Sequence, residues 1–541
     1  MNFPIRYRPA AHSNAAFRLA FGALYVGLMA ALPATKAADL DLSTATIADI
    51  EAAMDKGALT SEALVRLYLA RIEAYDHKGP ALNSIITLNP HALDDARALD
   101  EERRTKGPRS PIHGIVVLPK DVFDTKDMPT SGGFLPMATS QPTRDCFIVD
   151  RLRSAGAVIL AKMNESDWYG VAPRGASTLK GQVLSPYNPG KFPGASSSGP
   201  GVSMAAWFGT IALGTDTGGS ITIPSVQNNL VGFAMSHGLV SRTGQMWSSP
   251  RQENAGPMGR SVYDCAAVLD VIAGYDAADL ATEACVGRMP DRPYTSFIDK
   301  HGLRGARIGV LRDMVRTGPG HEEGDALFEK AVADVKKAGA LVVDPVTTGL
   351  DLLQFQADAG ASSFELKYAI NKYLSALPPT APIRTVDEMV EKGGKLVKPG
   401  IIAASKVKTP LEHNAALIAA YRQQDVMRAV LVGIMEKYQL DALFLPFRTF
   451  LSEDVGTNTG GGGGGQSRDT RNVLSSYTGL PTIVLPGGFF GSDGMPFGVQ
   501  FLGRPFTEPT LIKLASGFEA EIPHRKAPAL TPALPGEMIG Y

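Results

Sequence analysis

The sequence predicts an α/β fold in which helices cover both faces of a central β-sheet. Short apolar runs typical of buried strands alternate along the chain with longer segments of helical periodicity. Hydrophobic residues make up 44% of the 541 residues and charged residues 20%, which is the composition of a globular protein with a large core. No fixed-period repeat and no clean linker interrupts this pattern.

The predicted elements follow in order from residue 47. Helices are expected at 49–54, 61–72 and 92–104, with Ser61 as the N-cap of the second, and a short strand at 83–87. A buried strand is expected at 115–118 and further strands at 158–160, 211–213, 308–311 and 340–343, with helices at 147–155, 262–273 and 326–338. The polar, helix-rich stretch 350–438 is expected to be an insertion within a single domain covering 38–541.

The first residues have the pattern of a secretory signal peptide. Three arginines, the last of them Arg18, precede an apolar stretch at 19–32, and small residues follow up to Ala37. This stretch is shorter than the ~20 residues of a membrane-spanning helix, although an uncleaved membrane anchor is the alternative. We expect residues 1–37 to be a signal that is cleaved near Ala37. The mature chain would then be periplasmic or secreted, with no stable membrane association.

The charge balance argues against nucleic acid as a partner. Lys and Arg number 53 against 54 Asp and Glu, for a formal net charge of −1. This balance gives no electrostatic reason to expect nucleic acid or an acidic membrane surface, and it favours small, neutral substrates. No pattern in the sequence indicates an oligomeric state.

The cysteines are few and odd in number. Cys146, Cys265 and Cys285 allow at most one disulfide, and none lies in a CxxC motif or beside a histidine. Metal binding and redox use are therefore not expected. Cys146 and Cys265 lie within apolar periodic segments and are predicted to be small core residues.

A tract of six glycines, 460–465, is predicted to be a mobile loop, because ordering each glycine costs backbone entropy. A phosphate-cradling loop is the alternative. No Lys-Ser or Lys-Thr pair follows the tract and no strand leads into it, so the loop is favoured.

The run Gly214–Ser220 (GTDTGGS) follows the predicted strand 211–213. Glycines allow consecutive backbone N–H groups to point at one spot, and such a nest can hold a developing oxyanion. A serine beside it can attack a carbonyl if a base takes its proton. On its own, however, a Gly-Gly-Ser turn is more often structural than catalytic.

Two other sequence segments could belong to the same site as this turn. The serine cluster at 194–199 (GASSSG) lies upstream of it, and Lys120 follows the predicted strand 115–118. None of the nine histidines lies near these motifs with an acidic partner, and His113 and His237 fit ordinary core or loop roles. A buried lysine can act as a general base instead, if desolvation lowers its pKa enough to keep it neutral.

Together these motifs resemble the amidase signature family of serine hydrolases. That family places a lysine after an apolar strand, then a Gly-Gly-Ser-Ser-Gly-Gly segment, then a nucleophile in Gly-x-Asp-x-Gly-Gly-Ser-Ile. Further ordered matches extend the resemblance over nearly the whole mature chain: 111–115, 188–189, 255–258, 478–481 and 496–501. The resemblance implies a mixed central sheet with helices on both faces.

The resemblance also implies roles for individual residues. Ser220 corresponds to the nucleophile and Lys120 to the general base, with Ser196 as the relay serine after a cis peptide bond from Ala195. Ser197 would hold Lys120 by a hydrogen bond. The oxyanion hole would be formed by the backbone N–H groups of Thr217, Gly218, Gly219 and Ser220. No metal or organic cofactor is implied.

Some positions depart from the family pattern. Ala195 stands where the second glycine is usual, and Thr222 stands where many members have arginine after Ser-Ile. Because Ser196–Ser198 are three adjacent serines, a one-residue error in the relay assignment stays open. These departures leave the nucleophile in place but change its surroundings.

The expected activity is hydrolysis of linear amides, either C-terminal peptide amides or aryl and acyl amides, by an acyl-enzyme on Ser220. Segments 82–104 and 240–242 most resemble bacterial peptide amidases. An esterase or carbamate hydrolase is an alternative, because an acyl-enzyme accepts several leaving groups. A non-catalytic binding homologue is a second alternative. A component of a tRNA-linked amidotransferase is disfavoured by the export signal.

Overall fold

The computed structural model describes residues 39–169, 175–456 and 471–540. The predicted signal and the glycine tract 460–465 lie outside these residues. Residues 39–541 group into one compact unit by their contacts. No helix of the described part is long and apolar enough to cross a membrane.

A mixed sheet of ten strands lies at the centre of the fold, as the sequence predicts. In chain order its strands are β1 (Val116–Pro119), β2 (Val158–Ile159), β3 (Ile211–Asp216), β4 (Val231–Ala234), β5 (Asn254–Gly259), β6 (Arg307–Leu311), β7 (Leu341–Val346), β8 (Ala442–Pro446), β9 (Thr482–Phe489) and β10 (Pro496–Leu502). Their order across the sheet is β7-β6-β8-β10-β9-β4-β5-β3-β1-β2.

Strand direction changes across this sheet. The flanks β7-β6-β8 and β3-β1-β2 are parallel, and the pairs between them are antiparallel. The five strands that the sequence predicts in this sheet all lie in the parallel flanks. Four of these strands are almost entirely buried, as is typical of near-continuous apolar runs, whereas β7 lies at the edge of the sheet and is mostly exposed or half-buried.

Helices surround the sheet. They are α1 (Ile47–Asp55), α2 (Ser61–Arg71), α3 (Ala92–Lys106), α4 (Phe147–Ser154), α5 (Ser198–Ala205), α6 (Thr222–Gln227), α7 (Val262–Ile272), α8 (Glu322–Lys337), α9 (Leu352–Asp358), α10 (Ser362–Ala376), α11 (Val386–Gly393), α12 (Pro399–Ser405), α13 (Ala415–Lys437), α14 (Leu474–Thr478) and α15 (Glu508–Glu521). Three two-stranded sheets pair Asp39–Asp41 with Met538–Gly540, Ile85–Leu88 with Ala161–Met163, and Ala176–Ser177 with Gly181–Gln182.

The predicted cap of α2 is wrong by one residue. Ser61 is the first helical residue, and the cap is Thr60, whose hydroxyl accepts a hydrogen bond from the Ala63 amide at 3.1 Å. Thr60 has the extended backbone that a capping residue needs.

The stretch 350–438 is helical. Its helices α9 to α13 follow β7 and precede β8 in the chain. In the sheet these two strands belong to one parallel flank, and only β6 separates them. Part of this stretch packs back on the rest of the protein, since Tyr373 of α10 donates a hydrogen bond to Asp124 at 2.7 Å.

Candidate active site

The candidate site lies where β1 and β3 end. These strands are parallel neighbours with Pro119 opposite Leu213, so the residues that follow them meet at one edge of the sheet. The Lys120 amide continues this pairing by donating to the Leu213 carbonyl at 3.1 Å. This register brings the side chain of Lys120 to the end of β3, just before the turn that follows Asp216.

Lys120 is completely buried and faces two hydroxyl groups. Its Nζ lies 2.5 Å from Ser196 Oγ and 2.9 Å from Thr215 Oγ1. Burial lowers the pKa of Lys120 below its ordinary value, against the opposing effect of nearby carboxylates, chiefly Glu165 and Glu253. A lysine whose charged form is disfavoured has a lone pair available to accept a proton.

Ser196 connects this lysine to Ser220. The peptide bond between Ala195 and Ser196 is cis, as the resemblance implies. The Ser196 amide donates to Ser220 Oγ at 2.7 Å, while the Ser196 hydroxyl lies against Lys120. The preceding Gly194 has φ +108°, and a Cβ there would lie 2.5 Å from Pro224 Cα, so only glycine fits.

Asp216 shapes the turn that carries Ser220. One carboxylate oxygen accepts from the Gly219 amide at 2.7 Å, and the other accepts from the Ile221 amide at 2.9 Å and the Thr222 amide at 3.3 Å. These bonds hold the turn closed around the serine at the start of α6. The Ser220 side chain remains partly exposed and can be reached by a substrate.

The predicted oxyanion donors divide into two groups. The Gly219 amide is engaged by Asp216, so Thr217, Gly218 and Ser220 are the better candidates. Gly219 has a structural role instead: its φ is +99°, and a Cβ would lie 2.5 Å from Val473 Cγ1. Gly218 is exposed, as an amide that receives substrate should be.

The hydrogen bond between Ser197 and Lys120 that the resemblance implies stays a prediction, and the Ser197 hydroxyl also contacts the backbone of Thr215. This hydroxyl lies 3.3 Å from the Thr215 amide and 3.4 Å from the Thr215 carbonyl. It therefore holds the backbone of the residue whose side chain contacts Lys120. Thr215 was not singled out as a site residue, although it lies within the GTDTGGS run.

Two buried carboxyl groups near Lys120 also escaped sequence analysis. Glu165 Oε2 lies 3.6 Å from Lys120 Nζ, and burial raises the pKa of Glu165 to about 8. Glu253 accepts from Thr217 Oγ1 at 2.5 Å and from the Ser248 amide at 3.1 Å, and burial raises its pKa to about 7. The signal for Glu165 was the polar run 164–167 directly after a strand.

His113 and Thr222 each contact backbone groups. The buried His113 contacts the Leu99 carbonyl at 2.9 Å and the Arg109 amide at 3.2 Å, which is a structural role. Thr222 donates its hydroxyl to the Gly219 carbonyl at 3.2 Å at the start of α6.

Across the described ranges, no group of three or more His, Cys, Asp or Glu side chains is placed to hold a metal ion.

Known proteins resemble this chain over most of its length. The family model described as Amidase matches residues 63–512. A probable amidase of Arabidopsis thaliana is 32% identical over 505 residues, covering 90% of this chain and 92% of that protein. A putative amidase of Schizosaccharomyces pombe is 30% identical over 540 residues, covering 92% of this chain and 88% of that protein.

A solved structure is similar to this chain over most of its length. The X-ray structure of native peptide amidase from Stenotrophomonas maltophilia superposes with a TM-score of 0.78 at 34% identity, covering 90% of this chain and 98% of that one. Fold and site together define an enzyme that hydrolyses carbon–nitrogen amide bonds. The chain belongs to the amidase family, which confirms the resemblance read from its motifs.

Proposed function

We propose that this amidase hydrolyses linear amides, either C-terminal peptide amides or aryl and acyl amides, through an acyl-enzyme on Ser220. The observation that carries the proposal is a pair of short contacts: Lys120 Nζ lies 2.5 Å from Ser196 Oγ, and the Ser196 backbone amide donates to Ser220 Oγ at 2.7 Å. Lysine, relay serine and nucleophile thus adjoin one another beside a partly exposed turn.

The proposed reaction has two halves. Ser220 Oγ attacks the amide carbonyl while its proton passes by way of Ser196 to neutral Lys120. The negative charge on the carbonyl oxygen is stabilised by backbone N–H groups of the turn. The proton then returns through Ser196 to the leaving nitrogen, the C–N bond breaks, and ammonia or an amine departs. Water hydrolyses the acyl-enzyme by the same proton route in reverse.

The first test removes one member of the path at a time. Ser220→Ala and Lys120→Ala should each abolish hydrolysis of an aryl anilide or a peptide amide, while circular dichroism shows an unchanged fold. Ser196→Ala should lower kcat by about 10² to 10⁴-fold, the usual contribution of proton transfer. Ser197→Ala should cost much less, and this difference would decide between the adjacent serines.

The matched control is Ser203→Ala. Ser203 is also a buried serine, and its hydroxyl donates to the Pro200 carbonyl within α5 at 3.0 Å. This variant should keep its activity. Substantial activity in Ser220→Ala would make the nucleophile assignment wrong, and activity in Lys120→Ala would require another base.

Two alternatives remain to be separated from amide hydrolysis proper. An ester or carbamate hydrolase would use the same acyl-enzyme with a different leaving group. A panel of peptide amides, aryl amides, fatty amides, esters and carbamates, each compared by kcat/KM, would rank these substrates. A non-catalytic homologue would turn over none of them.

We propose further that the chain is exported and that the segment 1–37 is its signal. The support is the sequence pattern of arginines, a short apolar stretch and small residues before Ala37. N-terminal sequencing of the protein from a bacterial periplasmic fraction should begin near residue 38. An intact N-terminus in the membrane fraction would favour the anchor instead.

A further inference from the structure

Gln252 connects the turn that carries Ser220 to the helical stretch 350–438. Only 3% of this residue is exposed, and it lies two residues before β5. Its Nε2 donates to the Thr217 carbonyl at 2.8 Å, and its Oε1 accepts from the Ala361 amide at 2.8 Å. A carboxamide has donors and an acceptor at one end, so it can join a carbonyl on one side to an amide on the other.

The Thr217 carbonyl that Gln252 holds belongs to the same peptide unit as the Gly218 amide. This peptide bond is trans. A peptide unit is planar, and in its trans form the C=O and N–H bonds point in opposite directions. A donor that fixes the carbonyl therefore also fixes the direction of the Gly218 N–H, which is one of the candidate oxyanion donors.

Without such a donor, little would stop this peptide unit from rotating. A Cβ on Gly218 would have Tyr477 Oη, 3.9 Å away, as its nearest neighbour among the described residues, and glycine adopts many backbone conformations at little steric cost. The next peptide unit is held by the 2.7 Å bond from the Gly219 amide to Asp216. Asp216 and Gln252 thus hold the peptide units on the two sides of Gly218.

Thr217 is also held through its side chain. Glu253, the next residue after Gln252, accepts from Thr217 Oγ1 at 2.5 Å. Rotation about the Cα–C bond of Thr217 turns its carbonyl without moving its side chain, because the two groups lie on opposite sides of that bond. The bond to Glu253 therefore does not set the direction of the carbonyl, and the bond from Gln252 does.

The oxygen of Gln252 lies against two parts of the helical stretch. Ala361 lies between α9 and α10, and Gln424 lies on α13. The buried Gln424 Nε2 lies 3.3 Å from Gln252 Oε1 and 2.7 Å from the Ala359 carbonyl. Donors at its oxygen and an acceptor at its nitrogen therefore fix the orientation of the Gln252 carboxamide.

We propose that Gln252 is a positioning residue for the oxyanion hole: it aims the Gly218 N–H at the carbonyl oxygen of the substrate. The inference rests on the proposed acyl-enzyme at Ser220. Donors that are oriented before the reaction stabilise the developing charge without a cost of reorganisation. The stretch 350–438 thereby supports the reaction through one buried side chain.

Gln252→Met tests this role, because methionine keeps the length of the side chain and removes both polar ends. Deleting an oxyanion donor lowers kcat by about 10² to 10³-fold. Loss of its orientation should cost less, roughly ten- to hundredfold in kcat, with KM for an aryl anilide changed by less than about twofold. If this variant does not fold, Gln252→Asn replaces it, since the shorter carboxamide cannot reach both Thr217 and Ala361.

A second measurement isolates the oxyanion. An aldehyde analogue of the acyl group forms a bond from Ser220 Oγ to its carbonyl carbon while the serine proton passes to Lys120, and the adduct carries the negative oxygen of the transition state. Its inhibition constant should rise in Gln252→Met by about the factor by which kcat falls. The corresponding alcohol forms no adduct, so its inhibition constant should stay nearly constant.

The matched control is Asn89→Leu. Asn89 is another buried carboxamide with the same two kinds of bond. Its Nδ2 donates to the Ile159 carbonyl at 2.7 Å, and its Oδ1 accepts from the His91 amide at 2.9 Å. Losing these bonds should lower the melting temperature but leave kcat and the inhibition constant of the aldehyde unchanged.

Wild-type kcat and aldehyde inhibition in the folded Gln252 variant would overturn the inference. A loss of kcat with unchanged aldehyde inhibition would also overturn it, as would an equal loss in Asn89→Leu, because either would mean a general structural effect. Failure of the proposed function gives a different result: Ser220→Ala keeps its activity, and the aldehyde binds no more tightly than the alcohol.

Discussion

Replacing Glu165 with glutamine tests whether a neighbouring carboxyl group tunes the base. Glu165→Gln preserves shape and removes only the charge that faces Lys120. With both side chains fully buried and Nζ 3.6 Å from Oε2, the interaction is about 5 kcal/mol at an effective dielectric constant of about 20. That energy corresponds to about 3.5 pKa units for Lys120. It is an upper value, since burial raises the pKa of Glu165 to about 8 and its carboxyl group is only partly ionised near neutral pH.

The need for a neutral Lys120 sets the direction in which the pH profile should move. Lys120 must be neutral to accept a proton, so kcat/KM rises as pH passes upward through the Lys120 pKa. An ionised Glu165 raises that pKa, and its loss lowers it. We therefore expect the acidic limb of the kcat/KM profile to move to lower pH by about 1 to 2 units in Glu165→Gln.

The assay is kcat/KM for one aryl anilide across roughly pH 5 to 10. The control is Glu365→Gln, which neutralises a buried carboxyl group that bonds Ser249 and Tyr421. Its acidic limb should coincide with that of the wild type. The reasoning would be refuted by a Glu165→Gln limb that stays in place or moves to higher pH.

Two other substitutions probe parts of the fold that serve the site. Thr215→Val removes the second hydroxyl that contacts Lys120, so kcat should fall by roughly tenfold with KM nearly constant, measured on the same anilide. A rise in KM with kcat unchanged would indicate a binding role instead. Arg71→Met leaves the buried Glu537 carboxylate without the cation 2.7 Å away, so urea unfolding should show a loss of about 3 to 5 kcal/mol. A loss below about 1 kcal/mol would mean that Glu537 finds another partner.

The sequence predicts the parallel flanks of the sheet but misses its antiparallel centre. Strand β5 contains Gly256 and Pro257, which normally argue against a central strand. The glycine is required there by packing, because a Cβ on Gly256 would lie 2.2 Å from the Phe233 carbonyl oxygen. Such strands are defined by their neighbours, and local periodicity carries little information about them.

Some residues of the candidate site could likewise be predicted from the sequence, and others could not. Lys120, Ser196 and Ser220 could be predicted because their motifs resemble those of the amidase signature family. Glu165 and Glu253 act on Lys120 across space, from segments far from one another in the chain. Their burial and their distance from the lysine depend on tertiary packing, which a single sequence does not reveal.

The three thiols of this protein have a practical consequence. Cys146, Cys265 and Cys285 are all free and buried, and burial raises the pKa of Cys146 to about 12. Because the thiolate is the reactive form, an alkylating reagent should modify these positions only when the surrounding structure opens. Alkylation rates at Cys146 beside α4, Cys265 within α7 and Cys285 would therefore report three local opening equilibria, with no cysteine introduced by mutation.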